Sequence, residues 1–304
     1  MNKGYPIILT GFISWGLFPL YWSLLGHVPA MEVLMHRVIW SVPVLLLLVI
    51  PVVVWRRDFF QVWIHREKLL LLLLTSVLIS INWGVFIWAV AEHRVIEASM
   101  GYFLTPLLNV LAGLLVFKER LTRLQWLAVA LAAAGVVVYM VQVAGFPWVA
   151  IILALSFSSY GVLRKKIKVS AVPGLLVETL LILPFSLVWI AYLHQSNSAW
   201  FLQQSDFTDL WLILGGLVTV VPLVFFTAGT RLLPMATVGI LSYITPSLQF
   251  FSGVFFLGEP MSFNKLQAFG LIWMGLILFA WSLWRTAKLN KLINKADPSA
   301  KLVI

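Results

Sequence analysis

The sequence predicts an all-α membrane protein of ten transmembrane helices, formed by two inverted five-helix repeats. Three observations carry that prediction. Of 304 residues, 62% are hydrophobic and 11% charged, with a mean hydropathy of +0.99, whereas a soluble domain carries about 25% charged residues. The stretch from Thr105-Pro106 through Gly113 and Glu119 to Gly135 returns 140 residues later as Thr245-Pro246, Gly253, Glu259 and Gly275. Finally, the basic residues fall almost wholly on one side of the predicted helices.

The repeat aligns without a gap. Leu108/Leu248, Ala128/Ala268 and Leu131/Leu271 also match, giving eight identities over 31 positions, where so biased a composition yields about three by chance. Each copy reads as an apolar helix broken at Thr-Pro, a short turn carrying Glu, and a second apolar helix. Paired Pro-interrupted apolar segments are the pattern of secondary transporters and mark their binding region.

Apolar runs bounded by charge, Pro or Gly place the helices at 4–25, 31–54, 69–91, 97–117, 123–143, 146–164, 171–193, 208–231, 236–257 and 264–284. At about 1.5 Å per residue each is near the length that spans about 30 Å of hydrocarbon. The halves are 1–144 and 145–284, followed by a basic tail at 285–304. Met1-Asn2-Lys3 runs into the first apolar stretch without a small-residue cleavage pattern, so that stretch is read as a retained helix.

Alternate connections share a side. The side holding the N-terminus has eighteen of the 21 Lys and Arg, the other has Arg94 and Lys265, and Arg37 lies within a helix. Positive residues stay inside, so both termini are expected in the cytoplasm of a cell with this protein in its inner membrane. Five helices per half is an odd number, so the two copies cross in opposite directions. The turn Lys118-Glu119-Arg120 becomes Gly258-Glu259-Pro260 on the other side. It loses its basic residues and keeps the Glu.

Composition also excludes classes. With no Cys there is no disulfide framework, thiol nucleophile or Cys-ligated metal. The net charge of +10 is spread over connections rather than gathered on a solvated domain, so nucleic acid is not expected. No phosphate loop, H-E-x-x-H or clustered Asp pair is present. Neither cofactor nor metal is expected, nor an enzymatic activity.

Few ionisable groups are read inside the spans: His36 and Arg37 in the second helix and Glu178 in the seventh. Each costs about 2.5–3.5 kcal/mol or more to bury, and such groups face a cavity or a partner. A structural reading stands beside the functional one, in which Arg37 and Glu178 bond backbone freed by Pro43 and Pro184. Arg37 and Glu178 differ by about 10 Å in predicted depth, which argues against a direct ion pair. Asn82, Trp83, Tyr102, Asn109, Tyr243 and Gln249 are further candidates for lining a site, with helix-to-helix bonding as the alternative. Asn109 and Gln249 are repeat mates. Thr105-Pro106, Pro222 and Thr245-Pro246 are expected bends or gates, because proline leaves a carbonyl without its amide partner. Glu119 and Glu259 are read as caps or partners of Arg123 and Lys265. The run Arg164-Lys165-Lys166 is read as an orientation signal, and the tail either lies on anionic lipid or is loosely solvated.

Several strings resemble RarD-type proteins of the EamA family in the drug/metabolite transporter superfamily. They are His36-Arg37-Val38-Ile39-Trp40, Asn82-Trp83 with Phe86-Ile87-Trp88-Ala89-Val90, Glu97-Ala98-Ser99 with Gly101-Tyr102-Phe103, Tyr160-Gly161 with Arg164-Lys165-Lys166, Glu178-Thr179 with Leu183-Pro184, and Val221-Pro222-Leu223. The resemblance implies an inner-membrane permease of two EamA repeats exporting metabolites or amphipathic drugs, with a small-molecule substrate and protons or another ion as coupling partners. Small multidrug relatives in the superfamily place an essential Glu in the first helix; residues 4–25 here hold no acid. If protons are used, Glu178 and His36 are the candidates. A facilitative channel-like pore is one alternative, against which the scattered polar groups argue; a membrane-embedded enzyme or sensor scaffold is another, and it needs a catalytic cluster or a soluble output domain that the sequence does not show.

Overall fold

The computed structural model describes residues 3–91, 95–141, 148–203, 207–256 and 263–296, and among these every regular element is helical. Eight described segments are long and apolar enough to cross a membrane.

The first predicted helix is three pieces: α1 (Gly4–Gly16), α2 (Phe18–Trp22) and a 3-10 turn at Ser23–Leu25. Pro19 explains the break, since it removes the amide that would reach the Trp15 carbonyl. That carbonyl accepts instead from Gln249 Nε2 at 3.2 Å. The second helix, α3 (Ala30–Val49), continues through Pro43 but stops five residues short of its predicted end. Pro51 disfavours a helical residue before it. Residues expected to finish that helix and enter a connection form α4 (Val53–Ile64) instead. Ser170 donates from both its backbone amide and its hydroxyl to Asp58, which fastens α4 to the start of a later helix.

The chain continues as α5 (Arg66–Ala91), α6 (Val95–Leu115), α7 (Arg123–Met140), α8 (Trp148–Lys166), α9 (Ala171–Gln195) and α10 (Thr208–Leu232). The start of α7 is set by a capping box between Thr122 and Gln125. The ninth predicted helix is split into α11 (Met235–Ser242) and α12 (Ile244–Phe255), and α13 runs from Phe263 to Ala296, so much of the predicted tail is helix.

The two Thr-Pro steps behave differently. α6 is unbroken through Pro106, and the Thr105 hydroxyl turns back to the Gly101 carbonyl of its own helix at 2.8 Å. In the other copy the helix does break, at Tyr243, and the Thr245 hydroxyl reaches Phe12 of α1 at 2.9 Å. The expected break at Pro106 is therefore corrected. One hydroxyl bonds within its own helix and the other ties two helices together.

Repeat mates meet one another. A Cβ on Gly135 would lie 2.7 Å from the Ala268 carbonyl, and one on Gly275 would lie 2.7 Å from the Ala128 carbonyl. These contacts are reciprocal under the 140-residue offset, and they make α7 and α13 antiparallel where they cross. Both glycines are needed for that approach, since any side chain would meet backbone. Likewise the Tyr243 hydroxyl donates to the carbonyl of its mate Phe103 at 3.2 Å.

Candidate substrate cavity

A small cavity of about 30 Å³ lies among α3, α5, α8, α9 and α10, with Ser41, Trp83, Tyr160, Glu178, Thr179 and Thr219 in its wall. One water needs roughly 10–15 Å³ by this measure, so the space suits water and no metabolite. The remaining wall is aliphatic: Val38, Leu45, Ile79, Val220 and Leu223 among others.

Arg37 borders this space through its partners. Its Nε donates to the Thr219 hydroxyl at 2.9 Å. Its guanidinium carbon lies over the Trp22 ring at 4.7 Å and the Trp83 ring at 5.1 Å, both within cation–π range. Tyr102 and Tyr21 lie within its electrostatic reach. Among the described residues no carboxylate is within ion-pair distance of Arg37, and its two Nη atoms have no hydrogen-bond partner. The side chain is half-buried, although helices enclose it.

Glu178 is fully engaged. Its Oε1 accepts from Thr75 at 2.5 Å and lies 3.6 Å from Arg164 Nη1, and its Oε2 accepts from Tyr160 at 3.3 Å. Arg164 is 2% exposed. Its Nη2 donates to the Ala171 carbonyl, while Nε and Nη1 are buried without hydrogen bonds. Thus the first residue of the expected orientation signal is a buried ion-pair partner. A basic triplet at a helix end hides that role. Arg37 and Glu178 do not touch: Glu178 is in the wall of the cavity, and Arg37 meets that wall through Thr219 and Trp83. The bonds to Thr219, Thr75 and Tyr160 also replace the expected backbone partners of both charges.

His36 lies off this space. It accepts from Trp40 Nε1 at 3.2 Å, packs on Phe201 at 4.6 Å between ring centres, and its Nε2 is 4.0 Å from Glu32. Glu32, at a span boundary and not singled out in the sequence, is fully buried and accepts the amides of Trp200 and Phe201. Asn82 donates to the Leu153 carbonyl at 2.9 Å and to Ser156 at 3.0 Å. Asn109 accepts from Ser158 at 2.8 Å. With Gln249 on Trp15, the mates Asn109 and Gln249 each tie a repeat helix to a helix outside its own copy. Tyr102 packs against Phe86. Tyr243 is buried on Phe103, away from the cavity wall. Pro222 lies within an unbroken α10, its carbonyl against Gly11 of α1, and Pro246 is in the first turn of α12.

Glu119 closes the other end of the repeat motif. Its carboxylate accepts from the amides of Met235 at 2.6 Å and Ala236 at 2.9 Å, at the positive end of the α11 dipole. Lys165 Nζ lies 3.5 Å from it and donates to the Leu233 carbonyl at 2.6 Å. The cap is thus on a remote helix, and the basic partner is Lys165 rather than Arg123. Glu259 and Arg94 lie outside the described residues, as does the side chain of Lys265.

An all-helical bundle with several apolar spans and a charged, enclosed cavity defines a multi-pass membrane transporter class, and comparison with known proteins agrees. The model of the EamA-like transporter family matches residues 2–141 and again 146–281. An uncharacterized transporter of Pseudomonas aeruginosa is 41% identical over 95% of this chain and 96% of its own length. Protein RarD of Escherichia coli is 39% identical over 91% of this chain and 94% of its own. The Chloramphenicol-sensitive protein RarD of Pseudomonas aeruginosa is 35% identical over 92% and 94%. A solved crystal structure shares the fold with a TM-score of 0.70 at 19% identity, covering 91% of this chain and 96% of that one. The chain belongs to the EamA-like transporter family, as a RarD-type member.

Proposed function

We propose that the chain is a secondary transporter of ten membrane-crossing helices, exporting small metabolites or amphipathic drugs across the inner membrane with both termini in the cytoplasm. Two inverted halves, 1–144 and 145–284, rock about the cavity between Arg37 and Glu178. The observation that carries this reading is Arg37, a charge deep among helices whose Nη atoms lack any described partner while its faces and Nε are held in place. A cost of that kind is retained where a ligand supplies the counter-charge.

The reciprocal crossing of α7 with α13 supports inversion, since equivalent helices run antiparallel there. A cavity this small supports a closed state that must open to admit substrate, which favours alternating access over a standing pore. The clasp of Glu119 on α11 supports a gate on the cytoplasmic side. Arg37 holds an anionic group, and Trp83 and Tyr102 contact apolar parts. Glu178 takes a proton when Arg164 releases it.

Reconstituted vesicles test this directly. Across a panel of amphipathic metabolites and drugs, with chloramphenicol included because of the name of one relative, at least one member should show saturable counterflow in the wild type and none in Arg37→Ala or Glu178→Gln. Ordinary uptake by both variants removes those roles.

A further inference from the structure

A guanidinium offers its faces, its Nε and its Nη edge to partners. At Arg37 the guanidinium carbon lies over the rings of Trp22 and Trp83, and Nε meets Thr219. Only the edge formed by Nη1 and Nη2 is left, and that edge matches a planar carboxylate through two parallel hydrogen bonds. We infer that the site takes an apolar monocarboxylic acid, bound edge-on by Nη1 and Nη2 of Arg37, and rejects the same carbon skeleton carrying an ammonium group. The assignment rests on the transport reading above and narrows its substrate class.

The rejection follows from Glu178. An amino acid needs a free carboxylate for its ammonium group, and both oxygens of Glu178 are already engaged by Thr75, Arg164 and Tyr160. No second acid is in the described wall of the cavity. The uncompensated charge is therefore the single positive charge of Arg37, which one carboxylate neutralises. In the opened state of the proposed transport cycle, the aliphatic side chains Val38, Leu45, Ile79 and Leu223 take the carbon chain. Thr219 is the positioning residue. Its hydroxyl donates to the Gly215 carbonyl at 2.7 Å, which turns a lone pair to Arg37 Nε and fixes the plane of the fork.

Calorimetric titration of the full chain in detergent tests this with four probes: isocaproate, isocaproamide, leucine and isopentylamine. Isocaproate should bind, and the other three at least about tenfold more weakly, since each lacks the anion or adds an unpaired ammonium. Arg37→Lys keeps the charge without the fork and should weaken isocaproate about tenfold. Thr219→Val should narrow the preference for isocaproate over isocaproamide, and Thr219→Ser should restore it. Undetectable isocaproate binding, leucine or isopentylamine binding as tightly as isocaproate, or Arg37→Lys binding isocaproate as the wild type does, would each overturn the assignment. Saturable vesicle flux of a neutral or cationic compound alone would overturn it and leave the transport reading standing. Absence of saturable flux for every probe would remove the transport reading itself.

Discussion

Glu119 caps the helix that begins at Met235 and Ala236, across 117 residues of chain, with 2.9 Å between its Oε2 and the Ala236 amide. The bond explains why Gly113 accompanies Glu119. A Cβ on Gly113 would lie 2.6 Å from Glu119 Oε2 and 2.8 Å from the Ala236 amide, so the glycine makes room for the clasp. Glu119→Ala leaves both amides without their acceptor. The expected cost is about 1–2 kcal/mol, read as a lower melting temperature in detergent.

Gly113→Ala should reproduce that loss without touching the carboxylate. Crowding at a close-packed contact costs about 1–3 kcal/mol. If the clasp is the relevant contact, Gly113→Ala combined with Glu119→Ala destabilises by less than the two single effects together, because both act on one contact. Full additivity in chemical denaturation would separate them.

Arg164→Met should destabilise far more than a change in an orientation signal would. Its side chain and that of Glu178 are 2% and 4% exposed, so removing one partner strands the other charge. The expected loss is about 3–5 kcal/mol. Adding Glu178→Gln should recover part of it, measured as a coupling term in a double-mutant cycle.

Gly135→Leu and Gly275→Leu form a symmetry test. Each would drive a side chain into backbone of the facing helix at an equivalent place. Similar losses, about 1–3 kcal/mol or more, are expected from both, measured by thermal shift. A loss confined to one of them would contradict the reciprocal crossing.

The repeat was legible because its identities sit where two backbones meet. Gly135, Gly275, Ala128 and Ala268 answer to packing, and packing constrains residue size at fixed spacing. Arg164 was not legible, because three basic residues at a helix end look the same whether one turns inward or all face water. Glu32 sits at a span boundary, where a carboxylate is cheap, and only the folded connection at Trp200 and Phe201 buries it. Trp22 and Thr219 acquire their place beside Arg37 from tertiary packing alone. The different partners of Thr105 and Thr245 likewise depend on whether a neighbouring carbonyl, here that of Phe12, is within reach of the threonine.

The proposed transport cycle requires one cavity to open to each side of the membrane in turn. The chain has no cysteine, so Thr179→Cys, in the cavity wall, provides a single thiol for impermeant reagents applied from either side of a membrane. Labelling is expected from both sides. With additional cysteines at Glu119 and Ala236 crosslinked beforehand, labelling from the cytoplasmic side should be lost while labelling from outside remains. Labelling from both sides after that crosslink, or from neither side in the wild type, would contradict that cycle.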